Sequence, residues 1–142
     1  MDTSPEGNMA RLRDAYHALQ GGDLDACVEM LSPDFIANIP GLPGPVYGTE
    51  IWRQGARAML AGFPDLRIDV EDMFGAADRV AVRARFHGTH LGAFQGARPT
   101  GERVAFWSLE MYRFEGGRIA EEWVAPDMAG LMRQISGTGS PA

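Results

Sequence analysis

Lysine is missing from this sequence: all 13 basic residues of the 142-residue chain are arginine. That excludes Schiff-base catalysis, a covalently held pyridoxal cofactor and a phosphate-binding lysine loop. Cysteine occurs once, as Cys27, so neither an internal disulfide nor a cysteine-based zinc site can form. Positive charge is scarce. With 19 acids the net charge is −6, and such a surface repels phosphate, so no nucleic-acid or anionic-membrane partner is expected. No apolar run approaches the roughly 20 residues that cross a bilayer, and the opening MDTSPEGN lacks the apolar core of a secretion signal. A soluble cytoplasmic protein is the expectation. The G-x-S-x-G elbow, a helix-opening G-x-G-x-x-G, H-E-x-x-H and C-x-x-C are also missing.

Apolar residues, at 45%, are enough for one core, and the chain reads as a single domain over 1–142 with an ordered core at about 8–136. Residues 1–7 and 137–142 read as loose tails. The first half has helical spacing. Met9, Leu12, Ala15, Tyr16 and Leu19 recur every three or four residues up to Gly21-Gly22. Asp23 caps a short helix through Leu31 that Ser32-Pro33-Asp34 ends, and Thr49 caps a third, with Trp52, Ala56, Met59, Leu60 and Phe63 inward. From Leu66 the period changes to two, giving strands around 66–71, 80–86, 103–114 and 118–125, the last two joined by the Glu115-Gly116-Gly117 turn. Asp127 caps a final short helix. Helices first and an antiparallel sheet after them make an α+β fold.

The acids of the last two strands carry the chemistry. In VAFWSLEMYRF both faces are largely apolar, which predicts a central strand covered on both sides and sets Glu110 in an apolar row. A carboxyl there must be paired, hydrogen-bonded or neutral, and burial moves its pKa up into acid–base range. The competing reading pairs it with Arg113 or Arg118. In RIAEEWVAPD one of Glu121 and Glu122 must point each way, and the residues alone do not say which. A turn tip at Gly116-Gly117 makes partners of residues whose numbers sum to about 233, placing Glu122 near Met111 beside Glu110. His87 and His90 stand three apart. Two histidines specify a metal weakly, the ordinary reading being one surface residue and one bonded to a loop, so no metal is expected. Tyr16, Trp52, Phe63, Phe86, Phe106 and Tyr112 are candidates to line a flat, apolar cavity.

The chain resembles the SnoaL-like polyketide cyclases, a branch of the nuclear-transport-factor-two-like folds, from about Arg11 to Ile135. The carriers are Gly88-Thr89-His90-Leu91-Gly92 with Phe94, then Pro99-Thr100-Gly101, Arg113-Phe114-x-x-Gly117-Arg118-Ile119, Glu122-Trp123-x-x-x-Asp127, Gly130-Leu131 and Gln134-Ile135. The resemblance implies a cone-shaped barrel: a curved antiparallel sheet wrapping a pocket that N-terminal helices close. It further implies that Ser108, Glu110, Ala120, Glu122 and Val124 face the pocket, while Trp107, Leu109 and Trp123 face the partner subunit of a homodimer. The family's cyclases close rings without metal or cofactor, using an aspartate whose position here is Val124. Their two histidines fall at Glu110 and Glu122. In ketosteroid isomerase-like relatives an acid at the place of Glu110 donates to an oxyanion, and the base falls near Asn38.

The resulting candidates are Glu110, Glu122 and His90 for catalysis. Ser108, Asn38 and Val124 join the six aromatics as substrate contacts, and no cofactor is expected. The implied function is a cofactor-independent cyclase or isomerase acting on a hydrophobic polyketide-like or terpenoid-like intermediate of bacterial secondary metabolism. Epoxide opening or hydroxylation on the same scaffold is the alternative, and a non-catalytic small-molecule-binding dimer is another. The glycine-rich stretch 88–101 is expected to gate the pocket, with His90 facing inward at its root.

Overall fold

The computed structural model describes residues 2–136; the tail expected at 137–142 lies outside the described residues. Helix α1 spans Pro5–Gln20, earlier than expected. Ser4 caps it by accepting a hydrogen bond from Gly7 N at 3.1 Å, and Pro5 suits a first turn where its missing N–H is not needed. Leu12 and Tyr16, four residues apart, are buried on one face. Helix α2 (Leu24–Glu29) is capped by Asp23, whose side chain accepts from Ala26 N at 3.1 Å.

Strand β1 (Leu31–Asn38) is a correction to the sequence reading, because Ser32-Pro33-Asp34 lies within it and does not end a helix. Its pairing breaks register between Leu31 and Ile36, where Pro33 has no N–H to give to a ladder. Strand β2 (Val46–Tyr47) is short. In helix α3 (Thr49–Gly62) the cap position falls to Gly48, at φ 95°, and Thr49, the expected cap, is the first helical residue. Strands β3 (Arg67–Ala76), β4 (Arg79–Thr89), β5 (Arg103–Glu115) and β6 (Arg118–Pro126) follow. Helix α4 (Met128–Ser136) is the last element among the described residues, with Asp127 Oδ1 accepting from Gly130 N at 3.0 Å as expected of its cap.

The fold is α+β, and its six strands form one curved, unclosed sheet in the order β2-β1-β6-β5-β4-β3. The sheet is mixed, not purely antiparallel, because β1 runs parallel to β6. Alternation along β4 sends Val80, Val82, Ala84 and Phe86 inward, where they meet Leu12 and Tyr16 of α1 and Phe106, Tyr112 and Phe114 of β5 in one core. On the other face of β5, Trp107, Leu109 and Met111 are 42%, 49% and 42% exposed, so that strand is central but covered on one side only within the chain.

The stretch from His90 to Glu102 is fastened, not free. His90 N donates to Glu102 O and Gly101 N to His90 O, both at 2.9 Å, closing its root. Leu91 N and Gly92 N donate to Gly62 O at 3.1 and 3.2 Å, satisfying a carbonyl at the end of α3. A Cβ on Gly92 would stand 1.8 Å from Ala61 O, so only glycine permits this approach.

Candidate active site

Strand register decides which acid joins Glu110. Near the turn, Glu115 pairs with Arg118 and Phe114 with Ile119, following the expected sum of 233. The register then shifts by one between Arg113 and Phe114, so that Tyr112 faces Glu122 and Glu110 faces Val124. Had the first register continued, Glu122 would have paired with Met111 and shared its exposed face. The extra residue of this bulge turns Glu122 inward. Glu110 and Glu122 become diagonal neighbours on the concave face, with Cβ atoms about 7 Å apart by ordinary sheet geometry.

Glu110 is surrounded by hydroxyls. Tyr16 Oη and Tyr112 Oη donate to its Oε1 at 2.6 and 2.5 Å, and Ser108 Oγ donates to its Oε2 at 2.8 Å. Three donors on one carboxyl are the pattern of a carboxylate, which only accepts. Burial, and then the negative charge of Glu110, pushes the Tyr16 and Tyr112 phenols well above their usual range, so both remain donors. Arg113, the expected competing partner, instead bonds Glu121 Oε1 through Nε at 3.3 Å and lies 3.4 Å from Glu115.

Glu122 differs in every respect. It is 7% exposed, and among the described residues its carboxyl makes no hydrogen bond. Burial first, and the charge of Glu110 second, raise its pKa to about 8. At neutral pH it is the protonated member of the pair. The two carboxyls therefore divide into a hydroxyl-held anion and a neutral acid within one cavity.

That cavity, about 240 Å³, lies between β5–β6 and helices α1 and α3. Of the expected contacts, Tyr16, Trp52, Phe86, Phe106, Ser108, Tyr112 and Val124 line it, with Phe86 and Phe106 stacked at 5.4 Å. Three expected residues lie elsewhere. Asn38 Nδ2 donates to Glu121 Oε2 and to Glu122 O, both at 3.0 Å, tying β1 to β6. Phe63 is core, packed on Phe94 at 5.2 Å. His90 is wholly buried against Phe63, its Nδ1 accepting from Thr100 N at 3.2 Å and lying 3.0 Å from Thr100 Oγ1. Val82 is the β4 residue opposite Glu110, and His90 lies eight positions further along, on the order of 25 Å of extended chain. The stretch 88–101 contributes nothing to the cavity lining, so the structure does not make it a gate.

Sequence reasoning placed Leu19, Ala56 and Met59 on helix faces without naming them as lining, and missed Ile39, Ile51, Gly55 and Pro126. Two had signals: Pro126 continues the alternation of Glu122 and Val124, and Ile51 begins a four-residue stripe with Gly55 and Met59. Ile39 went unseen with β1. No group of three or more metal-ligating side chains occurs among the described residues, and no helix among them is long and apolar enough to cross a membrane.

The curved, unclosed mixed sheet with its helices is one of the nuclear-transport-factor-two-like folds. Within them, this chain belongs to the SnoaL-like polyketide cyclase family, whose profile matches residues 10–135. AclR, a candidate hydroxylase from Streptomyces galilaeus, is 28% identical with a TM-score of 0.87, over 98% of this chain and 85% of its own. IdmH, a candidate polyketide cyclase from Streptomyces antibioticus, is 31% identical with a TM-score of 0.81, over 91% and 98%. A candidate SnoaL-like polyketide cyclase from a Jannaschia species is 27% identical with a TM-score of 0.82, over 99% of each chain. No curated protein matches the chain.

Proposed function

We propose that the protein is a cofactor-independent acid–base enzyme, a cyclase or isomerase acting on a hydrophobic polyketide-like or terpenoid-like molecule that carries a carbonyl group. The observation that carries this reading is the split of one carboxyl pair into donor and acceptor inside an apolar cavity. Glu122, neutral at pH 7, donates its proton to the substrate carbonyl oxygen as charge develops there. Glu110 removes the proton from the adjacent carbon through Oε2, which Ser108 occupies with only one hydrogen bond. In ring closure the enol attacks a second carbonyl of the same molecule, returning its hydroxyl proton to Glu122 while the proton on Glu110 goes to the new alkoxide. In isomerisation the proton on Glu110 is delivered to a different carbon. Each transfer of this kind contributes roughly 10²–10⁴ in rate. Val124 stands where the resemblance puts the family's aldol aspartate, so the chemistry rests on the two glutamates.

A second reading uses the same pair. The likeness to AclR, a candidate hydroxylase, points to reactions other than ring closure on this scaffold. Protonation of an epoxide oxygen by Glu122, with Glu110 taking a proton from the attacking water or hydroxyl, gives ring opening. In either case we propose a homodimer located in the cytoplasm; the exposed Trp107, Leu109 and Met111 on the outer sheet face support the dimer.

The test is proton exchange at the carbon beside the carbonyl of 1-tetralone, a fused-ring ketone, followed by NMR in deuterated water. The wild type should accelerate exchange above buffer, and Glu110→Gln and Glu122→Gln should each reduce it at least about 100-fold with the fold retained. Exchange unchanged in both variants, or none in the wild type, overturns the reading.

A further inference from the structure

The cavity walls hold two carboxyls and no compensating cation: neither arginine nor histidine lines the cavity or the small chamber behind Glu122. Charge is therefore unbalanced. Glu110 is held by neutral hydroxyls, which orient an anion without neutralising it. Glu122 is 7% exposed and aimed into the space with no hydrogen-bond partner among the described residues. The remaining wall includes the aromatic rings of Trp52 and the stacked Phe86–Phe106 pair, a ring type whose quadrupole attracts positive charge.

We infer that this cavity discriminates by charge, accepting hydrophobic molecules that carry a basic nitrogen and turning away those that carry a carboxylate. The inference goes beyond the acid–base reading above: it names the charge of the ligand that the same cavity holds. An amine that displaces the proton of Glu122 binds as an occupant and not as the carbonyl substrate of that reading. An ammonium brought beside Glu122 supplies the missing hydrogen-bond donor and favours the ionised carboxyl. The proton of Glu122 then leaves to solvent, giving an ammonium–carboxylate pair where a neutral acid stood. Of the groups facing Glu122, the charge of Glu110 on β5 opposes its ionisation but attracts the ammonium, while Tyr16 from α1, Tyr112 from β5 and the neutral thiol of Cys27 from α2 carry no charge. A carboxylate ligand would instead add a third acid to a space with no counter-charge.

Calorimetric titration of the full chain with benzylamine, benzyl alcohol and benzoate at pH 7, in two buffers of different ionisation enthalpy, tests this. Benzylamine should bind about tenfold more tightly than benzyl alcohol, and benzoate should not bind. Benzylamine binding should release protons from the wild type and not from Glu122→Gln. Benzyl alcohol binding as well as benzylamine, benzoate binding comparably, or none of the three binding overturns the inference. The tetralone exchange needs no ligand charge. Exchange without amine preference removes this inference alone, and amine preference without exchange removes only the acid–base reading.

Discussion

Tyr16, on the first helix, donates its phenolic hydrogen at 2.6 Å to a carboxyl oxygen of Glu110, 94 residues away on β5. Tyr112 donates to the same oxygen at 2.5 Å. The helix is thereby fixed to the site by a half-buried charge-assisted hydrogen bond as well as by packing. Tyr16→Phe should lower stability by about 1–3 kcal/mol, and so should Tyr112→Phe. Because both serve one oxygen, the double variant should depart from the sum by at least about 0.5 kcal/mol. Urea unfolding of the four proteins measures this, and strict additivity would mean that the hydroxyls do not share Glu110.

Glu122 sets a pH dependence whose sign follows from its raised pKa. Unfolded, the group ionises near 4.5; folded, near 8. Between these values the native state holds a proton that the unfolded state has released, so this contribution falls as pH rises from 4.5 and levels off above 8. A shift of this size is worth on the order of 5 kcal/mol. Glu122→Gln should remove the slope, melting above the wild type at pH 8.5 and much closer to it at pH 5. Parallel melting curves across that range would show that Glu122 ionises normally.

Much of this site was legible in the sequence, and its failures have specific causes. Alternation put Glu110 in an apolar row. It could not choose between Glu121 and Glu122, because that choice depends on a one-residue bulge that no local pattern marks. Strand β1 was hidden because its apolar run, Phe35 to Ala37, is three residues long and follows a proline. His90 looked catalytic because histidine beside glycines suggests a mobile loop. Its Nδ1 is instead held by Thr100, its Nε2 is buried without a partner, and the flanking Gly88 and Gly92 serve close packing.

Gly92→Ala tests that packing. Its new methyl group would meet Ala61 O, so stability should fall by about 3 kcal/mol or more. Gly44→Ala, with nothing within 4 Å, is the control and should change the melting temperature little. Equal melting temperatures would show that residues 90–102 are not clamped to α3.

The outer sheet face predicts assembly. Trp107, Leu109 and Met111 alternate with buried residues along β5 and form an apolar strip that water would otherwise cover. Sedimentation at micromolar concentration should give twice the 15.4 kDa chain mass, and Leu109→Glu should return it to that mass. A wild-type monomer would contradict the proposed dimer.

The account stands most directly on the proton that Glu122 holds at neutral pH. Carbon NMR of the protein labelled at the glutamate carboxyls, titrated from pH 3 to 10 with Glu122→Gln to assign the signal, reads it without any substrate. One carboxyl, lost in Glu122→Gln, should titrate with a midpoint near 8. If every glutamate has finished titrating below about pH 6, the pair is not divided into donor and acceptor, and the account fails.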